Sequence, residues 1–138
     1  MAPSVTRIAL VTGANKGMGL EIARQLGKSG LFVLVGGRNP ALGEAATERL
    51  RGEGVDARSV QVDLTEPATI TAAAADIESQ EGRLDILVNN AGVSTPGDGS
   101  PGVASLEAVR RTASTIGGSL GISGRAVAVR AQGRSSIA

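Results

Sequence analysis

Three glycines, Gly13, Gly17 and Gly19, lie between an apolar run and a helix-like stretch, with Lys16 among them. Glycine permits sharp turns and lets the backbone approach a ligand closely. A helix that begins here offers free N–H groups and a dipole that suit an anion, most naturally a pyrophosphate. The spacing Gly-x3-Gly-x-Gly differs from the usual dinucleotide fingerprint, and no Gly-Lys-Ser/Thr of a triphosphate-binding loop follows. A merely flexible loop between strand and helix is the competing interpretation.

A second candidate group follows the next apolar run, where the chain reads Gly37-Arg38. A dinucleotide site uses a residue about 20 positions beyond the glycine loop to contact the adenosine ribose, and an acid there accepts from a free 2′-hydroxyl. An arginine suits a 2′-phosphate instead, by its charge and planar fork. Each cation alone is typical of a solvated surface, but Lys16 and Arg38 converge on one predicted point. The pair favours NADP(H) over NAD(H).

Alternating strands and helices would position these groups. The pattern predicts strands at 7–12, 31–36, 58–62 and 84–88. It predicts helices at 17–28, at 40–51 after an Asn39 cap, and from a Thr65 cap to about Gly82. Such alternation predicts an α/β fold in which a parallel sheet is covered on both faces. Right-handed crossovers make it doubly wound, with strand order 3-2-1-4. The glycine loop then lies at the carboxyl edge, where the strand order reverses.

The regular pattern ends near residue 112. Residues 1–112 are predicted to form the nucleotide-binding segment, and residues 113–138 a divergent tail of mostly Gly, Ser, Ala and Arg. The sheet is therefore expected to be truncated after about four strands, although 126–129 has the composition of a short strand. The interpretations that stay open are a poorly ordered basic tail, a shifted reading frame and a chain that is an N-terminal fragment.

The composition excludes several classes of function. Without cysteine or histidine, the chain has no disulfide, no Cys/His metal site and no Ser-His-Asp triad. A net charge of +1 and Phe32 as the only aromatic residue argue against nucleic acid as a partner. No apolar run approaches the ~20 residues of a membrane span, and the N-terminus lacks a signal pattern. A cytoplasmic protein without a membrane partner is expected.

Two further motifs complete a family pattern. Residues 63–64, Asp-Leu, follow the third strand, and residues 89–92, Asn-Asn-Ala-Gly, follow the fourth. Together with residues 12–19 they resemble the classical short-chain dehydrogenase/reductase family, and its NADPH-dependent carbonyl reductase-like members in particular. The resemblance covers about residues 5–112. It implies a Rossmann-type fold, hydride transfer between NADPH and a small carbonyl or alcohol substrate, and it allows a homo-oligomer.

The resemblance also implies roles for single positions. The three glycines would line the pyrophosphate, Asn15 and Lys16 would serve the adenosine ribose, and Arg38 the 2′-phosphate. Asp63 would bind the adenine amino group and the Leu64 backbone the ring, while residues 90–92 would support the wall beside the ribose. A turn that merely ends a strand is the alternative for the two asparagines. The predicted cofactor-binding set is Gly13, Asn15, Lys16, Gly17, Met18, Gly19, Arg38, Asp63, Leu64, Asn90, Ala91 and Gly92.

The chain departs from the family in its catalytic residues. The family uses a tyrosine as proton donor or acceptor, and a nearby lysine that lowers the tyrosine pKa. This sequence contains no tyrosine, and its last lysine is Lys28. No catalytic residue is therefore predicted, and the chain is expected to be inactive alone. The alternatives to an enzyme are a non-catalytic NADP-binding module and a truncated, non-functional gene product.

Overall fold

Strands and helices alternate along the chain as the sequence predicts. The computed structural model describes residues 6–90, 114–116 and 125–128, the last four by backbone only. The elements in order are β1 (Ile8–Val11), α1 (Gly17–Lys28), β2 (Phe32–Gly37), α2 (Pro40–Gly52), β3 (Ala57–Gln61), α3 (Pro67–Gln80), β4 (Ile86–Asn89) and β5 (Arg125–Ala128).

The strands form one parallel sheet in the order β3-β2-β1-β4-β5. The predicted order of the first four strands is confirmed. In the register, Leu10 of β1 lies opposite Leu34 of β2 on one side and Leu87 of β4 on the other. Because the strand order reverses beside β1, the loops that follow β1 and β4 meet at the carboxyl edge.

A fifth strand joins the four that the pattern predicts, where the sequence offered a short strand at 126–129. β5 pairs with β4 in parallel, with Leu87 opposite Ala126 and Asn89 opposite Ala128. β4 is therefore an inner strand. A four-residue strand among glycines and serines has too few residues to show a period, which is why the pattern left it undecided. β5 lies inside the range assigned to a divergent tail, and the domain boundary at residue 112 stays a prediction.

The core lies in two layers, one on each face of the sheet. Leu10 and Leu34 point to the face covered by α3, whereas Val11, Val33 and Val35 point to the face covered by α1 and α2. On the first face α3 contributes the side chains that its sequence pattern predicts, namely Ile70, Ala73, Ala74 and Ile77. Burial of each large aliphatic side chain contributes about 1.5–3 kcal/mol to folding, and the partly buried Phe32 packs against the α3 side of this aliphatic core.

Two helix N-caps were predicted, one correctly. The Asn39 side chain caps α2 by accepting a hydrogen bond of 3.1 Å from the backbone N–H three residues on. The predicted Thr65 cap is wrong, because α3 begins at Pro67 with Glu66 at the N-cap position. The Asp63 carboxylate competes for Thr65 and accepts from both its hydroxyl (2.6 Å) and its backbone N–H (3.0 Å).

An ion-pair cluster fastens α3 to the edge strand β3. The Arg58 guanidinium donates two hydrogen bonds of 2.8 Å to the Glu81 carboxylate and one of 2.9 Å to Asp76. The hydrogen bonds to Glu81, more than that to Asp76, raise the pKa of Arg58 above its ordinary value. The cluster lies on the side of α3 that faces the sheet edge, so it fixes the helix over β3.

In the described ranges no helix has the length and apolarity to cross a membrane.

Candidate functional site

The loop between β1 and α1 takes a shape that needs glycine at two positions. Gly13 has φ +63° and Gly17 has φ +60°, both in the left-handed region that other residues rarely adopt. The first hydrogen bond of α1 runs from the Leu20 N–H to the Lys16 carbonyl (3.3 Å). The N–H groups before it precede the helical ladder, and the first turn carries no acid. This helix end therefore suits an anion.

Gly19 lets the start of α1 lie directly on the glycine loop. A Cβ atom at Gly19 would lie 2.1 Å from the Gly13 carbonyl oxygen and 2.4 Å from Nδ2 of Asn90. Neither distance is compatible with a side chain, so only glycine fits. The third glycine of the motif thus serves close packing of the helix N-terminus against β1 and β4.

Thr12 joins the glycine loop to the end of β4. Its buried hydroxyl accepts a hydrogen bond from the Asn90 N–H (3.0 Å) and lies 3.4 Å from Oδ1 of Asn89. The backbone N–H of Thr12 donates to the Val88 carbonyl at 2.9 Å. The Asn90 side chain completes the link by donating from Nδ2 to the Gly13 carbonyl (3.3 Å). The predicted set omitted Thr12, although a threonine between a buried strand and a glycine turn was a usable signal.

Thr12→Val is expected to lower the free energy of unfolding by about 1–3 kcal/mol, because the buried Asn90 N–H loses its acceptor. Thr12→Ser keeps the hydroxyl and is expected to recover most of the loss. Urea denaturation followed by far-ultraviolet circular dichroism measures both. Equal stability of the valine and serine variants would contradict a role for the hydroxyl.

Asn90 also presents an unsatisfied acceptor. Its Oδ1 atom is buried and has no hydrogen-bond partner within the described part of the chain. A buried acceptor without a donor costs about 1–3 kcal/mol, so native proteins nearly always supply one. A hydroxyl or a water held at this position would satisfy it. The Asn90 side chain lies beside the glycine loop, where its Nδ2 atom donates to the Gly13 carbonyl.

The loop after β1 also touches the end of β2. The Ala14 N–H donates to the Gly36 carbonyl at 2.9 Å. A Cβ atom built on Gly37 would lie at 3.8 Å from the Asn15 Cβ, an ordinary van der Waals distance. The structure therefore brings the glycine loop next to the end of β2, which Arg38 follows.

Lys16 directly follows Asn15 in the chain, and Arg38 directly follows Gly37. Both cations are exposed. Over residues 6–90 every ion pair involves other arginines, so neither cation has an acidic partner there. Exposed cations without partners at a helix N-terminus create a local positive potential, and an anionic ligand would pair with them.

The other predicted residues lie at the same edge or outside the described residues. Asp63 follows β3 and uses Oδ1 for both bonds from Thr65, which leaves its other oxygen for a further donor. The Leu64 side chain is buried in the core below α3. Met18 is 47% exposed beside the loop. Ala91 and Gly92 lie outside the described residues.

Comparison with known proteins identifies the family. The family model described as short chain dehydrogenase matches residues 7–129. The chain belongs to the short-chain dehydrogenase family. This match confirms the resemblance, and it extends past residue 112 to include β5. Short-chain dehydrogenases are oxidoreductases that use nicotinamide cofactors.

Individual short-chain dehydrogenases show how much of the family's length the chain covers. It is 43% identical over 113 residues to short-chain dehydrogenase/reductase 1 of Saponaria officinalis, covering 80% of this chain and 37% of that protein. It is 45% identical over 92 residues to the NADPH carbonyl reductase 3 of Mus musculus, covering 65% and 33%. The chain thus spans about a third of the length of these curated relatives.

Solved structures of short-chain dehydrogenases confirm the Rossmann-type fold. An actinorhodin polyketide ketoreductase variant with NADPH superposes with a TM-score of 0.80 at 35% identity, covering 93% of this chain and 54% of that one. The menthone neomenthol reductase of Mentha piperita gives a TM-score of 0.62 at 43% identity, covering 65% and 33%.

Proposed function

We propose that the carboxyl edge of this sheet binds NADP(H). The observation that carries the proposal is the junction at Gly19, where the N-terminus of α1 lies on the glycine loop. Lys16 and Arg38 lie nearby and have no acidic partner among residues 6–90. A pyrophosphate fits the N–H groups and dipole of the helix end. The unsatisfied Oδ1 of Asn90 supports a ligand that carries hydroxyl groups.

The residues of the proposed site divide by chemistry. The glycine loop and the first turn of α1 hold the pyrophosphate. Lys16 and Arg38 recognise the 2′-phosphate, whereas an NAD(H) site would present an acid after β2. The free carboxylate oxygen of Asp63 accepts from the adenine amino group, and Asn90 lies beside the ribose. This division favours NADP(H) over NAD(H).

For an enzyme that contains this cofactor-binding segment, the proposed reaction is reduction of a small carbonyl compound or oxidation of the corresponding alcohol. A bound nicotinamide supplies or accepts the hydride. The chain's own residues bind and orient the adenosine end, but none of its described residues offers a tyrosine to move the proton, and the sequence contains none. We therefore propose that this chain binds the cofactor without turnover.

Cofactor binding and turnover are both measured on one preparation of the chain. The purified chain is incubated with NADPH and a panel of small ketones and aldehydes, and NADPH oxidation is followed at 340 nm. We expect NADP⁺ binding by calorimetry and an oxidation rate equal to that of a Gly19→Ala variant purified in the same way. Oxidation well above that control would contradict the absence of turnover, and absence of NADP⁺ binding would overturn the proposed function.

A further inference from the structure

Arg38 lies in a one-residue gap between β2 and the cap of α2, and the backbone is held on both sides of it. The Gly37 carbonyl accepts a hydrogen bond of 2.9 Å from the Val62 N–H. The Asn39 carbonyl accepts one of 2.9 Å from the Gly43 N–H, at the start of α2. Both supports are backbone groups that belong to the sheet and the helix.

The carbonyl of Arg38 itself is held by a side chain. Nε2 of Gln61 donates to it at 3.2 Å. Gln61 is the last residue of β3 and lies opposite Gly37 in the parallel register, so its amide reaches across the strand end to the next residue. Because this hydrogen bond comes from a side chain, a substitution of Gln61 removes it and leaves the backbone hydrogen bonds of the sheet in place.

We propose that Gln61 is a positioning residue for recognition of the 2′-phosphate, an inference that rests on the proposed function. The Gln61 amide contacts the Arg38 backbone, so the role proposed for it is to hold Arg38. A residue that must be ordered on binding lowers the affinity, because its conformational entropy is lost at that moment. By fixing the Arg38 carbonyl beforehand, Gln61 holds the backbone from which the Arg38 side chain extends, before the ligand arrives.

The neutrality of Gln61 matters as well as its hydrogen bond. A carboxylate at this position could not donate to the Arg38 carbonyl. It would also offer the guanidinium a partner within the protein and would repel a phosphate dianion nearby. Both effects weaken binding of the nucleotide that carries the 2′-phosphate and leave binding of the nucleotide without it unchanged.

The test is the ratio of NADP⁺ to NAD⁺ affinity, measured by calorimetry, in the wild type, Gln61→Leu and Gln61→Glu. We expect the preference for NADP⁺ to fall about threefold in Gln61→Leu, the effect of one exposed hydrogen bond, and about tenfold in Gln61→Glu. NAD⁺ affinity should stay unchanged. Gln80→Leu, an exposed glutamine at the C-terminal end of α3, is the matched control and should leave the ratio unaltered.

A ligand-free readout accompanies the titrations. The ¹⁵N order parameter of the Asn39 amide, whose N–H shares a peptide plane with the Arg38 carbonyl, should fall in both Gln61 variants and stay constant in the Gln80 control, while the melting temperatures remain equal. A wild-type preference for NADP⁺ that persists in both Gln61 variants would overturn this inference and leave the proposed function intact. A wild type that binds neither nucleotide would overturn both.

Discussion

Alanine at position 19 is expected to abolish nucleotide binding and to lower the free energy of unfolding by about 1–3 kcal/mol. The added methyl group would meet the Gly13 carbonyl at 2.1 Å and the Asn90 side-chain nitrogen at 2.4 Å. The Gly13 carbonyl is backbone and also accepts the hydrogen bond from Asn90, so it has little freedom to retreat. The start of α1 must therefore move away from the loop, which opens the anion site.

Gly52→Ala is the matched control for Gly19→Ala. Gly52 is the last residue of α2, and a Cβ atom there meets nothing within 4 Å. We expect this variant to be as stable as the wild type or up to about 1 kcal/mol more stable. Urea denaturation and NADP⁺ titration are measured on both variants. Full nucleotide affinity in Gly19→Ala would show that close packing of α1 is not part of the site.

The Lys16→Ala/Arg38→Ala double variant is expected to bind NADP⁺ about 100-fold more weakly, with NAD⁺ affinity nearly unchanged. A hydrogen bond to a charged group contributes about 1.5–3 kcal/mol, and each factor of ten in affinity is about 1.4 kcal/mol. Because both cations are exposed, the lower end of that range applies, which is about tenfold for each residue.

Lys28→Ala supplies the control for the double variant, since Lys28 lies at the opposite end of α1 and is also exposed. It should leave both affinities unaltered. Raised salt should weaken NADP⁺ binding more in the wild type than in the double variant, because the lost interactions are ionic. An equal loss of NADP⁺ and NAD⁺ affinity would contradict specific recognition of the 2′-phosphate.

Most of the fold was predictable because its determinants are local. Short apolar runs, amphipathic helices and brief connections define β-α units, and the handedness of the crossover then fixes the order of the first four strands. The Asn39 cap followed from its residue type and the proline after it. The placement of the glycine loop at the sheet edge followed from the topology alone.

The missed features depend on contacts between residues distant in sequence. The Thr12 hydroxyl acts through Asn90, 78 positions away, and no periodicity reveals such a pair. The Thr65 cap failed because Asp63 competes for the same side chain. The sequence offered a short strand at 126–129, but its pairing with β4 could not be read from four residues. The Gln61 bond to Arg38 likewise exists only once β2 and β3 are paired.

The most direct measurement is calorimetric titration of the wild-type chain with NADP⁺ and, separately, with NAD⁺ at the same ionic strength. The proposed site predicts saturable binding of one NADP⁺ per chain, at least about tenfold tighter than NAD⁺, since two unpaired cations meet the 2′-phosphate. No binding of either nucleotide, or equal affinity for both, would contradict the proposed NADP(H) site at the carboxyl edge.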